Sequence, residues 1–247
     1  MYTLLTQAEF DTYAAAWAQF ISRDGAGEVQ RLFQPAGKLR QTHVSFDLVD
    51  SLVPLLSTVG LRRVAARFVL LPAEVAGDSP RFRVVLFATD ALGGRISAYY
   101  LGAAAWVAAP KTDELLSEDA AGLVSFNLAK VWLRAWAAPQ QQLGPRLFGT
   151  AYGPLQGYTF ELSDFMDPLF PAQQPAPPAP GMVFSLRLYF SLKSYYPAYP
   201  ENLEQPHQTF GLVGRLFPPV GKVTDDDDAS GTTGGSSYDM AQPNPPG

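Results

Sequence analysis

Two pairs of acids have a spacing that allows shared chemistry. Asp47 and Asp50 stand three residues apart, and so do Glu161 and Asp164. At the start of a short helix, side chains at i and i+3 lie on one face. Four carboxylates converging from two such places would form an oxygen-rich site for a hard cation such as Mg2+ or Mn2+. The same acids have a plainer use. In a first helical turn they accept from unpaired amides and suit the positive end of the helix dipole. Capping is the favoured expectation, and the four acids stand as metal-site candidates beside it.

Nucleophiles and bases are scarce. The chain has no cysteine, which excludes disulfides, thiolate zinc sites and a cysteine nucleophile. His43 and His207 are its two histidines, too few for a three-histidine metal site. A lone histidine is more often a surface or hydrogen-bonded group than a catalytic base. Residues Gly144 to Thr150 have the glycine spacing of a phosphate loop but lack its lysine and the strand before it. The run Asp226-x-Asp228-x-Ser230-Gly231 opens like a calcium loop, yet Ser237 stands where the closing acid belongs. No cofactor is expected, and an enzyme is the less favoured reading.

The arginines are a further candidate. Arg62, Arg63, Arg67, Arg81, Arg83 and Arg95 fall on strand-like runs that would be neighbours. Arg81 and Arg83 share a strand face, and such a face can bind anions through guanidinium groups. The favoured expectation is a solvated sheet face balanced by Glu74, Asp78 and Asp90.

The elements that must position these residues occur twice. Val44 to Leu56 aligns without a gap on Tyr158 to Phe170, with Phe46/Phe160, Leu48/Leu162, Asp50/Asp164, Pro54/Pro168 and Leu55/Leu169 identical. Each copy follows an amphipathic helix. The first helix opens on the capping box Thr6-Gln-Ala-Glu9 and carries Phe10, Tyr13, Trp17 and Phe20 at helical spacing. The second spans about Glu118 to Ala137 and ends at Pro139. Each copy is followed by two strands: Leu61–Leu71 and Phe82–Thr89 in the first, Met182–Leu192 and Thr209–Phe217 in the second. Another strand, Ile96–Leu101, follows a hairpin loop over Asp90 to Gly94. The fold class expected is α+β: two pseudo-repeats, each helix–strand–helix–strand–strand, packed as an intramolecular pseudo-dimer. Residues 1–110 form the first repeat, 111–223 the second, and 224–247 a disordered acidic tail.

The segments "GLRRVAARFVLLP" and "RFRVVLFATD", following a Phe-containing strand and short helix, resemble a family of small uncharacterised Bacteroidota proteins. Residues 44–90 carry the likeness, and residues 158–215 carry it more faintly. The resemblance implies the same order of elements and brings no activity with it.

Composition bounds the partners. The net charge of −5 resides in the tail: of 23 acids, Asp225, Asp226, Asp227, Asp228 and Asp239 lie beyond residue 223, where no Lys or Arg occurs. The remaining 18 acids face 18 bases. A neutral body does not suit nucleic acid, whose binders carry a basic stripe. No apolar run reaches the ~18 residues of a membrane helix, and no signal-like leader opens the chain. The expectation is a cytoplasmic protein without membrane contact. The overlapping P-x-x-P patterns of residues 175–180 read as a stiff exposed loop, and the Tyr/Pro loop offers Tyr195, Tyr196 and Tyr199 for protein contact. The leading expectation is a non-enzymatic protein-interaction or scaffold module whose partner is another protein. The alternative is a small-ligand- or metal-binding protein, or a hydrolase, with its site between the repeats.

Overall fold

The computed structural model describes residues 3–23, 26–35, 39–105, 126–138, 141, 143–150, 152–169, 185–195, 207–217, 237–238 and 242–243. It is α+β, with antiparallel sheets and helices laid against them. After β1 (Thr3–Leu5), helix α1 (Gln7–Ile21) begins at the capping box: Glu9 N–H donates to Thr6 Oγ1, and Thr6 N–H donates to Glu9 Oε2. Trp17 and Ile21 are buried, while Phe10, Tyr13 and Phe20 are half-buried. A second helix, α2 (Ala26–Phe33), leads to β2 (His43–Asp47).

The first repeated motif then forms a π-helical turn, Leu48–Leu52, running into α3 (Val53–Leu56). Pro54 is tolerated there because first-turn amides have no intrahelical acceptor. Strands β3 (Arg63–Leu70) and β4 (Phe82–Thr89) form a hairpin interrupted by the single turn α4 (Ala73–Ala76). The next strand, β5 (Tyr99–Leu101), is shorter than the expected Ile96–Leu101. Ser97 Oγ takes the N–H of Ala88 and replaces a ladder bond. The tripeptide β6 (Ala103–Ala105) follows.

In the second half, α5 (Phe126–Ala137) covers the described part of the expected helix. A 3-10 turn over Pro145–Phe148 and the short pair β7 (Gly149–Thr150) and β8 (Gly153–Pro154) occupy the rejected phosphate-loop segment. The motif recurs as β9 (Gly157–Glu161) and α6 (Ser163–Leu169), followed by the hairpin β10 (Ser185–Tyr195) and β11 (His207–Phe217). Two segments beyond residue 223 pair with sheet edges: β12 (Ser237–Tyr238) on β11 and β13 (Gln242–Pro243) on β9. The other tail residues and the proline-rich segment 175–180 lie outside the described residues. Among the described residues, no helix is long and apolar enough to cross a membrane.

One sheet has the order β1-β5-β4-β3-β9-β13, and the other β12-β11-β10-β2-β6. Each motif strand therefore joins the hairpin of the other half. The registers match position for position. Asp47 faces Ser185 and His43 faces Tyr189, just as Glu161 faces Arg63 and Gly157 faces Arg67. Helix bonds match as well: Trp17 Nε1 donates to Leu155 O at 2.8 Å and Trp136 Nε1 to Gln41 O at 2.9 Å. Each accepting carbonyl lies two residues before a motif strand. The core between the sheets draws on both halves, with Phe68, Phe82, Phe190 and Phe210 meeting edge-on around Phe33 and Phe148.

Candidate functional site

The four acids have separate duties. Asp47 caps the π-helical turn, its Oδ1 accepting from Val49 N–H at 2.8 Å and Asp50 N–H at 3.1 Å. Asp50 is exposed. Glu161 pairs with Arg63 Nε at 2.8 Å, both side chains about half exposed at 52%. Asp164 is buried, and its Oδ2 accepts the N–H of Glu161 at 2.9 Å. Asp47 and Glu161 lie in different sheets. Among the described residues, no group of three or more His, Asp or Glu side chains is placed to hold a metal.

His43 is sealed at 2% exposure, its ring 4.8 Å from that of Tyr189 and its Nδ1 3.0 Å from Thr42 Oγ1. Burial, helped by the nearby Arg187, pulls its pKa down to about 4 and keeps the imidazole neutral. His207 is the exposed first residue of β11. Tyr195 ends β10 opposite His207, while Tyr196 and Tyr199 lie outside the described residues.

Arg62, Arg63 and Arg95 are exposed as a solvated face requires, while Arg83 and Arg67 depart from it. Arg83 is buried and donates to the carbonyls of Pro80 and Phe82, and desolvation lowers its pKa to about 10. Asp90 is turned inward on its own loop, where its Oδ1 accepts from Leu92 and Gly94 amides. Arg67 is half-buried because α1 covers that side of β3, and desolvation lowers its pKa. Its Nη1 is shut off from solvent and has no acceptor among the described residues.

Arg67 lines a cleft of about 660 Å3 between α1 and the outer face of β3, β4 and β9. One wall is the small-residue face of α1, Ala14, Ala15 and Ala18. The opposite wall holds Phe87 and Tyr99, with Phe10 stacked on Tyr99 at 4.1 Å between centroids. Trp17 and Phe68 also line it, and Gln156, Thr159 and Thr89 add polar atoms. Arg63 and Arg95 stand exposed on the lining, and among the described residues no acid belongs to it. The polar and apolar surfaces of the cleft are nearly equal, and its volume falls in the size range of small-molecule sites.

No protein-family model matches the chain, and no match is found among curated proteins or solved structures. The site is therefore read from its own geometry.

Gly157, the partner of Arg67 on β9, lies directly against the β3 backbone. Its φ is +148°, and a Cβ there would stand 2.0 Å from Ala66 O, so no side chain fits. In the other sheet the corresponding place holds His43, its ring tilted against Tyr189, while Leu133 of α5 packs on Tyr189 and Val213. Leu133 stands three residues before Trp136, as Ala14 stands three before Trp17. His43, Tyr189 and Leu133 thus fill what Arg67 and Ala14 leave open. The sequence signals were the Ala14–Ala16 run and the glycine opposite His43, and neither is a catalytic motif.

Proposed function

We propose that this chain is a non-enzymatic binding module, an intramolecular pseudo-dimer in which one half keeps a small-ligand cleft that the other half has filled. The observation that carries this is Arg67, a guanidinium held partly out of water in the α1 cleft with one donor unanswered by the described residues. Burying a cation without a partner costs several kcal/mol unless something compensates. Retaining one in a cleft is intelligible if a ligand completes it.

The matched registers and matched tryptophan bonds support the pseudo-dimer, with β2 and β9 exchanged between halves. The lining supports a site between the repeats, since Gln156 and Thr159 come from the second half and the rest from the first. The titratable groups favoured by spacing are occupied structurally: Asp47 and Asp164 cap, Glu161 pairs with arginine, and His43 is sealed. That supports binding over catalysis.

The test is a thermal-shift panel of small acids, phosphates, amines and neutral aromatics against wild type and Ala14→Leu, which copies Leu133 of the filled half. A compound class that raises the wild-type Tm and leaves the filled variant unmoved supports the cleft. Equal response of both proteins to every class contradicts it.

A further inference from the structure

Resting on the cleft reading above, we infer that the ligand is a monocarboxylic acid with an aromatic or aliphatic body, its carboxylate on Arg67 and its body along Ala15 and Ala18 of α1, beside the packed Phe10–Tyr99–Phe87 cluster. The charge inventory selects the head group. Arg63 commits its Nε to Glu161 at 2.8 Å. Arg95 donates to Ser97 O and to Gln7 Oε1, and its guanidinium lies over the Tyr99 ring at 4.5 Å. Arg67 alone among the three lining arginines makes no side-chain hydrogen bond to a described residue, and with its Nη1 shut off from solvent the edge open to a ligand is Nε–Nη2. Arg67 is the desolvated cation of the lining, while Arg95 keeps its charge at the exposed rim.

A phosphate monoester carries about −1.5 to −2 near neutrality and asks for several charged donors. A carboxylate carries a single charge and matches the planar guanidinium fork through two parallel bonds. Thr159 and Gln156 stand on the same strand approach as Gly157, Arg67's cross-strand neighbour, and supply polar atoms near the head group.

The body is selected by the walls. Ala14, Ala15 and Ala18 present a flat apolar strip one side chain shallower than the Leu133 side of α5. The Phe10–Tyr99 stack and the edge-on contact of Phe87 with both rings hold the opposite wall rigid. A rigid aromatic wall favours an apolar partner because little side-chain freedom is lost on binding.

The experiment is isothermal titration of the full chain with 4-phenylbutyrate and octanoate, set against 4-phenylbutyramide, phenyl phosphate and inorganic phosphate. Saturable one-to-one binding of the two carboxylates is expected, weakened at least tenfold in the neutral amide and in Arg67→Met. Arg146→Met, exposed on the 3-10 turn, should bind as wild type. Because Met is uncharged and of similar length, Arg67→Met should remain folded, which its urea transition checks. Preferential binding of phenyl phosphate or of the amide, lost in Ala14→Leu, overturns the carboxylate assignment and leaves the cleft reading standing. Carboxylate binding that survives both Arg67→Met and Ala14→Leu, or no binding by any of the five, overturns the inference, and a panel in which both proteins respond alike overturns the cleft with it.

Discussion

Trp17 donates its indole N–H to the carbonyl of Leu155 at 2.8 Å, joining residues 138 apart in sequence. Trp136 makes the matching bond to Gln41 at 2.9 Å. Each indole ties a helix to the residues leading into a strand contributed by the other half, and each ring packs edge-on against core phenylalanines, Phe68 for Trp17 and Phe190 for Trp136. The two halves are therefore joined twice, through one sheet pairing and one buried side-chain bond on each side.

Replacing either indole with a phenyl ring keeps an aromatic body and removes the donor. A buried carbonyl left unanswered costs about 1–3 kcal/mol. Trp17→Phe and Trp136→Phe should each lose that much unfolding free energy, read as a lower urea midpoint at unchanged slope, because the environments match. A loss confined to one variant would show that the two bonds are not equivalent.

His43 makes stability depend on pH. Its pKa is about 4 in the folded chain, against an ordinary value of 6.5 once unfolded. Between these values the unfolded chain binds the extra proton, so this residue destabilises the fold as pH falls from 6.5 to 4 and adds nothing further below. The groups facing it are Thr42, Tyr189 and the positive Arg187. The full effect is on the order of 3 kcal/mol. His43→Phe, with a ring still against Tyr189, should flatten the difference curve from wild type over that interval.

Asp47 is a cap and needs no metal to act. Asp47→Ala should cost about 1 kcal/mol, read as a lower Tm in metal-free buffer. Asp164→Ala should cost more, because its carboxylate is buried on the Glu161 amide. Addition of Mg2+ or Mn2+ should leave the wild-type Tm where it was. A rise abolished by Asp50→Asn together with Asp164→Asn would restore the four-carboxylate site.

Gly157 admits no side chain. With φ at +148° and Ala66 O in the path of a Cβ, Gly157→Ala should cost more than about 2 kcal/mol. Arg67→Met should do the opposite. Removing a partly desolvated guanidinium that no described residue fully answers should raise Tm in the absence of ligand, the usual trade between a binding group and stability.

Local chemistry was legible in the sequence. The Thr6/Glu9 capping box and the bounds of β4 are set by near neighbours, and both stand where expected. Strand exchange was not legible, because Val44 and Tyr158 carry the same alternation whichever hairpin they join; partner choice is made by contacts distant in sequence. Arg67 looked like a solvated strand residue because nothing near it shows that α1 lies across that face. The α1 side of the cleft is made of small side chains, at Ala14, Ala15 and Ala18, and patterns of reactive residues do not register such positions.

The most direct measurement of the cleft is an NMR titration of the arginine Nε–Hε signals with 4-phenylbutyrate. A saturable shift of the Arg67 signal is expected, absent in Ala14→Leu, while the exposed Arg146 stays fixed. An Arg67 signal that does not move at saturating ligand, or that moves together with every exposed arginine, would contradict it.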